Sequence, residues 1–480
     1  MTTTRKQSGR GRNPKANKQA NRPEHATRSK EKGKRKKKSP ADTKKRSSHQ
    51  RGQRSSVDAI LAAITSAYQS SNDFNGVRLS RLGAIVGDQR LLDHVVELVE
   101  RGKVDALWAG PDVNPAIKRF VVPDREAQLA HLRGLRAIRD MEGSHTFMYP
   151  SSTHLQDVVD RSRYAEKPYT LALALGERQL AHRSFDLSVL EFYRNDPRYF
   201  YRCDDVHGYI SISDEHYRSE GMASRDKVLL QTFGFSYNEG LDRAVATFVR
   251  YLANLTPEHQ QTWRAKELEG DYRLHPHFFV TQIVGDFPSE LTLVHAFIME
   301  MDTINKMVAA MGRPKLFREV PSADSRPKKL AFLLRPTLAE FNDSVLVLDK
   351  LLSDNIDKDF FQEEVPDVTE ETGSDGRIRV QQKGTLQMLD QWFRKKFSTN
   401  DWKPFDKTME TLRKVRRLRQ KPAHSLEEDA FDRKYFREQR QLFVDAYDAI
   451  RTIRLMLANH PATRAVEVNG FLAEGRICTY

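Results

Sequence analysis

The chain predicts a mainly α protein with an α+β middle and a C-terminal helical bundle, set behind a basic arm. Three observations carry that expectation. Apolar residues recur at helical spacing near both ends, in Val57, Ile60, Leu61, Ile64 and Tyr68 and again in Phe436, Phe443, Tyr447, Ile450 and Leu457. Between them, such windows alternate with short strand-like runs, of which Tyr209-Ile-Ser-Ile-Ser213 is one. The first 55 residues contain no Phe, Trp, Tyr, Ile, Leu or Val.

A length of 480 residues is a soft prior for about three domains. The net charge of +14 is unevenly placed. Residues 1–55 hold 20 Lys and Arg against 3 Asp and Glu, or +17, and the remaining 425 residues hold 59 against 62, or −3. This arm cannot bury enough apolar surface to offset its ordering entropy, so disorder is expected. Its cluster Lys34, Arg35, Lys36, Lys37 and Lys38 is suited to nucleic acid, through phosphate contacts and counterion release and without reading sequence. A solubilising arm is the alternative. Signal-peptide and transit-peptide patterns are not expected, and no window approaches a membrane span. Two cysteines, Cys203 and Cys478, are too few for a disulfide framework and too far apart for a zinc knuckle, which suits a reducing, cytoplasmic setting.

Residues 56–124 read as a second unit. A helix follows Ser55-Ser56, a short segment covers Leu79–Val86, and Asp88–Arg101 places Leu91, Leu92, Val95, Leu98 and Val99 inward before Gly102. Val104–Trp108 and Ile117–Val122 then read as two strands around Gly110-Pro111 and Asn114-Pro115 turns. Three helices and a two-stranded hairpin resemble a winged helix, a family whose third helix commonly enters the DNA major groove. Here the outward face of that helix mixes Asp93, Glu97 and Glu100 with Arg90, His94 and Arg101, a poor match to phosphates. Protein contacts, or nucleic-acid binding assisted by the arm, suit it better. Lys118 and Arg119 on the wing are the candidate phosphate contacts.

The central domain, 125–361, opens with a charged helical connector over Arg125–Glu142. Val228–Ser236 reads as a strand, and Leu241–Leu255, Ser289–Met311 and Thr337–Leu352 read as helices. Gln231-Thr-Phe-Gly234-Phe lacks the second glycine and the Lys-Ser/Thr of a phosphate loop. Asp204-Asp205-Val-His207, Asp214-Glu215-His216 and His275-Pro-His277 are polar clusters without the spacing of a closed metal site, so no metal and no cofactor are expected. Residues 185–202 interleave aromatics with arginines, suiting either a base-stacking platform or a core helix with a turn. Residues 362–382, with Glu363, Glu364, Asp367, Glu370, Glu371 and Asp375, read as an acidic flexible linker that could pair with the basic arm and mask it. Residues 462–480 read as a C-terminal tail.

The most informative stretch lies in a helical domain at 383–461. Leu386, Leu389, Trp392, Phe393 and Phe397 mark one helix, and Met409, Leu412, Val415 and Leu418 mark a second that Pro422 stops. Ser425 and Glu428 form a capping box for a third. Arg419 and His424 thus straddle a helix break. Spacing alone is weak, since Arg125/His131, Arg139/His145, Arg202/His207 and Arg454/His460 also fit. Context separates the first pair: the following helix N-terminus favours a neutral imidazole, the form a general base needs, and Arg419 is a permanent cation. Arg413, Arg416, Arg417 and Lys421 add positive charge for nucleic acid.

This arrangement resembles the HEPN superfamily of small helical domains, with Gln420 where Asn or a smaller polar residue is common. The resemblance implies a metal-independent RNase of stress-response or phage-defence type. It also implies a homodimer through the C-terminal helices, with Arg419 and His424 as the catalytic pair in each copy. Some HEPN domains are instead non-catalytic adaptors. Residues 56–461 are also similar to uncharacterised bacterial and archaeal proteins. Three readings remain open: an endoribonuclease, a nucleic-acid-associated adaptor with a protein partner at the winged-helix or central domain, and a winged-helix DNA-binding regulator.

Overall fold

The computed structural model describes residues 56–480 apart from 87, 109–113, 115, 119–121, 136–144, 205, 288, 323–324, 362–363, 373–377, 421–427 and 479–480. The arm and its Lys34–Lys38 cluster lie outside the described residues. About half of the chain is helical, and all but one of the strand pairings are antiparallel.

The first core is built from α1 (residues 56–70), β1 (Val77–Arg78), α2 (Leu79–Val86), α3 (Asp88–Glu100), β2 (Val104–Leu107), α4 (Arg125–Gly134) and β3 (Phe147–Pro150). Val57, Ile60 and Ile64 meet Leu91, Val95, Leu98 and Val99 there, the stripes that the spacing predicts. The wing differs from expectation. The partner of β2 is β3, which lies between β1 and β2 with Val104 opposite Pro150 and Val77 opposite Met148. Residues 117, 118 and 122 are not strand. Tertiary burial selects β3: Met148 enters this core while Tyr149 on its other face enters the next one, and both are fully buried. The connector also belongs here, because α4 buries Leu132 in the same core and its Gln128 side chain accepts the Ala106 N–H at 2.7 Å. The unit therefore extends past residue 124.

The second core is an antiparallel sheet with helices against it. Ser151 caps α5 (Ser152–Val158), and α6 (Pro168–Ala174) follows. The strands are β4 (His182–Phe185), β5 (Tyr199–Cys203), β6 (His207–Ile212), β7 (Leu229–Tyr237), β8 (Arg243–Phe248) and β9 (Arg273–Leu274), ordered β4-β8-β7-β6-β5 with β9 on β7. The helix expected over Leu241–Leu255 is mostly β8, with only Val249–Ala253 helical. Ala244 to Phe248 are buried on both faces between β4 and β7, and such a continuous run carries no period that separates strand from helix.

The aromatic stretch at 185–202 is mostly core, with Phe192 and Phe200 exposed. Phe185, Tyr193 and Tyr199 are buried, and Tyr193 accepts the indole N–H of Trp263, on α7 (Pro257–Arg264), at 2.9 Å. Arg194 pairs with Glu340, and Arg198 with Asp196. Gly234 answers a packing need: a Cβ there would stand 2.3 Å from the ring of Phe278, which is itself stacked on Phe248.

The third core is the helical bundle, and it begins earlier than residue 383. β10 (Leu291–Thr292) leads into α8 (Leu293–Ala310), and α9 (Leu338–Leu351) is capped by Thr337. β11 (Val368–Thr372) and β12 (Ile378–Gln382) form a hairpin ahead of α10 (Thr385–Lys396), α11 (Lys403–Gln420) and α12 (Lys434–Ala458). Phe297, Ile304, Val345, Leu348, Trp392, Leu412, Ile450 and Leu457 share one core. Thus α8 and α9, read from sequence as central-domain helices, are bundle helices.

The acidic stretch 362–382 carries a five-pair β ladder, and its Glu364 is bonded to Arg313, Trp392 and Lys396. The stretch 462–480 is likewise packed: Leu472 joins the bundle core, and β13 (Ile477–Cys478) pairs in parallel with β10. Among the described residues, no helix is long and apolar enough to cross a membrane.

Candidate functional site

Helix α11 buries Met409, Leu412 and Val415 and turns Arg413, Arg416, Arg417 and Arg419 outward, as an amphipathic stripe must. Its described residues end at Gln420, two residues before Pro422. Arg419 Nη1 donates to Asp349 Oδ2 at 2.8 Å and to Asp354 Oδ2 at 2.5 Å. Arg416 Nη1 donates to the same Asp349 oxygen at 2.8 Å and also bonds Asp354. Asp349 lies in the last turn of α9 and is fully buried, whereas Asp354 sits in the turn beyond and is partly exposed. Partial burial would raise the Asp354 pKa, but hydrogen bonds and charge from Arg416 and Arg419 hold it below the ordinary carboxylate range.

The four side chains form a charge-balanced set, two guanidinium groups against two carboxylates. The strongly positive surface expected around Arg419 is therefore largely neutralised: Arg413 is also taken, by Asp390 at 2.6 Å. Arg417 alone of these four is exposed without an ion pair to any described residue. Asp349 and Asp354 are the site residues that sequence spacing missed. The available signal was a carboxylate next to Leu348, inside the stripe of Phe341, Val345, Leu348 and Leu352, where an apolar residue is the norm.

Lys421 and His424 lie outside the described residues, as does Ser425 of the expected capping box. Among the described residues the next helix opens at Lys434, after the non-helical residues 428–433, so the long helix begins later than a capping box at Ser425 predicts. The tertiary reason is visible in residues 429–432. Asp429 Oδ1 accepts from Ala339 N at 2.8 Å, Leu338 N donates to Ala430 O at 2.8 Å, Phe431 bridges Thr337, and Asp432 N donates to Pro336 O at 2.9 Å. The connector is held extended against the N-terminus of α9 instead of continuing α12 backward.

Several residues of the other Arg/His pairs have structural partners, and Arg139 lies outside the described residues. Arg454 is buried against Glu300, His460 caps the turn at Pro461–Thr463, and His131 stacks on Trp108 at 4.1 Å. Asp204 closes a turn, accepting from the Val206 and His207 amides at 2.7 Å and facing His207 Nδ1 at 3.2 Å. His216 Nδ1 bonds the Ser213 hydroxyl at 2.7 Å.

On the N-terminal unit, His94 is buried rather than outward, Glu97 pairs with Arg101, and Glu100 pairs with Arg133. Lys118 is not a phosphate contact. It is 3% exposed, with Nζ 3.5 Å from Asp105 and 3.4 Å from Gly176 O, and burial pushes its pKa down. Arg119 lies outside the described residues. A cleft of about 650 Å³ near Lys118 is lined by Tyr169, Arg178, Arg183 and Arg264, but Glu177 and Glu267 already pair two of these arginines. Set against known protein families, curated proteins and solved structures, the chain matches none.

Proposed function

We propose that the protein is a metal-independent endoribonuclease whose site is centred on Arg419 and His424. The observation that carries this reading is the way Arg419 is held. Both carboxylate bonds use Nη1, so Nε and Nη2 make no hydrogen bond to a described residue, and the side chain is 30% exposed. A guanidinium anchored by one nitrogen, with the other two unbonded among the described residues, is a preorganised fork for a phosphate, five residues before the histidine. In this mechanism His424 takes the 2′-hydroxyl proton and the 2′-oxygen attacks phosphorus. The P–O5′ bond breaks, leaving a 2′,3′-cyclic phosphate, and the 5′-oxygen is protonated by an imidazolium. Arg419 stabilises the charge on the non-bridging oxygens. A homodimer through the bundle helices would bring two such pairs together, and the basic arm would tether RNA.

The second reading, a non-enzymatic nucleic-acid-associated adaptor, is favoured by the charge balance of Arg416, Arg419, Asp349 and Asp354. That balance suits a network that locks α9 to α11. The buried states of His94 and Lys118 argue against a sequence-reading winged helix.

The deciding experiment is cleavage of total RNA and a tRNA pool in EDTA by wild type, His424→Ala and Arg419→Ala at matched folding. Cyclic-phosphate ends, with the rate falling about 10²- to 10⁴-fold on loss of the base, are expected. Arg419→Ala leaves Arg416 beside Asp349, so its folding loss should be small. RNA binding by folded protein without cleavage would establish the adaptor reading.

A further inference from the structure

Two stretches remote in sequence, one holding His277 and Glu290 and the other Cys478, bring a histidine, a carboxylate and a thiol together away from the arginine network. His277 lies in the short helix Pro276–Phe279, whose Phe278 packs over Gly234 of the sheet. Glu290 immediately precedes β10, and Cys478 lies on β13, where the parallel pairing sets it opposite Thr292. The potential ligand atoms of His277, Glu290 and Cys478 all lie within 4.8 Å of one another. His277 Nε2 is 3.5 Å from Glu290 Oε2. Ligand bonds of about 2.0–2.3 Å in a tetrahedron give edges of roughly 3.3–3.6 Å, so small side-chain rotations would close the set on one ion.

A fourth residue completes the environment. His275 is 1% exposed, and its Nδ1 accepts the His277 backbone N–H at 3.1 Å. A neutral ring then carries its proton on Nε2, which faces Cys478 Sγ at 3.7 Å. That N–H is aimed at the sulfur, a contact that makes His275 a supporting donor rather than a ligand.

We propose that His277, Glu290 and Cys478 bind one divalent ion of the zinc class, with His275 supporting the thiolate and the fourth position open to solvent beside the half-exposed Glu290. Mixed nitrogen, sulfur and oxygen ligands suit Zn²⁺ over Mg²⁺ or Ca²⁺, which take oxygen. The ion would join the helix packed on the sheet to the β10–β13 pair of the bundle, and so tie two cores together. Cys478 stands 201 residues from His277, so only the fold brings these ligands together.

The test uses the full chain, stripped with EDTA, dialysed and titrated with Co²⁺ and then Zn²⁺. One equivalent of Co²⁺ should give a thiolate-to-cobalt charge-transfer band that Zn²⁺ abolishes. Cys478→Ser should remove the band and Cys203→Ser should keep it. His277→Ala and the exposed-side Glu290→Gln should each weaken Zn²⁺ binding at least about tenfold, and His275→Ala about 10- to 100-fold. Thermal melts in EDTA check that each variant still folds, and Glu290→Gln serves where a buried substitution does not. A stoichiometric ion without a thiolate band, or a band that survives Cys478→Ser, would overturn the assignment, as would no binding at all by the folded wild-type chain.

Discussion

Arg454 and Arg419 have the same side-chain chemistry and each stands a few residues before a histidine, but the fold uses them differently. Arg454 is 4% exposed and bonds Glu300, which is fully buried and has one carboxylate oxygen without a partner among the described residues. Burial raises the Glu300 pKa despite the charge and hydrogen bond of Arg454. Arg454→Leu should therefore destabilise the protein by about 3–5 kcal/mol, because it leaves a buried carboxylate unpaired, whereas Glu300→Leu with Arg454→Leu should recover most of that loss. Urea unfolding of the single and double variants checks this, and equal losses would refute it.

Glu364 makes a second prediction at the same scale. Partial burial alone would raise its pKa, but hydrogen bonds from Lys396, Trp392 and Arg313 hold it at about 2, below the ordinary 4.5. A depressed folded pKa means that the stabilisation is full above about 4.5 and disappears as pH falls through about 2. The gap in urea midpoint between wild type and Glu364→Gln should shrink across that window. A gap independent of pH would show that the residue acts by packing alone.

Among elements, β7 shows how packing chooses a glycine that belongs to no phosphate loop. Gly234 pairs with Ala246 on β8 and with His207 on β6, and the Phe278 ring occupies the space where a Cβ would stand. Gly234→Ala should cost about 1–3 kcal/mol through overpacking, and Phe278→Leu in the same background should restore part of it. The α11–α12 connector makes a similar point. Its Asp429, Ala430 and Phe431 satisfy backbone groups at the start of α9, which delays α12 to Lys434.

For the whole molecule, charge separates arm from body, +17 on residues 1–55 and −3 on the rest. Deleting residues 1–55 should weaken RNA binding and flatten the dependence of affinity on salt, since fewer counterions are released. An unchanged salt slope would move the RNA-binding surface onto the body. The described body is three packed cores rather than the beads on a linker that composition suggests, because the acidic stretch forms a hairpin and the last residues pair with β10.

Much of this was legible in the sequence. Helices with one clean apolar stripe, α1, α3, α8, α9, α11 and α12, follow from spacing alone, and so do the basic arm and strands β6 and β7. Local periodicity specifies that an element has a buried face, which is why these hold. It does not specify which core receives that face, so α8 and α9 were placed with the wrong neighbours. Nor does it separate strand from helix in the doubly buried run of β8. The candidate site shows the same division. Arg419 stands out in sequence by its helix break, whereas its partners Asp349 and Asp354 lie 70 and 65 residues away and are brought to it only by the packing of α9 on α11.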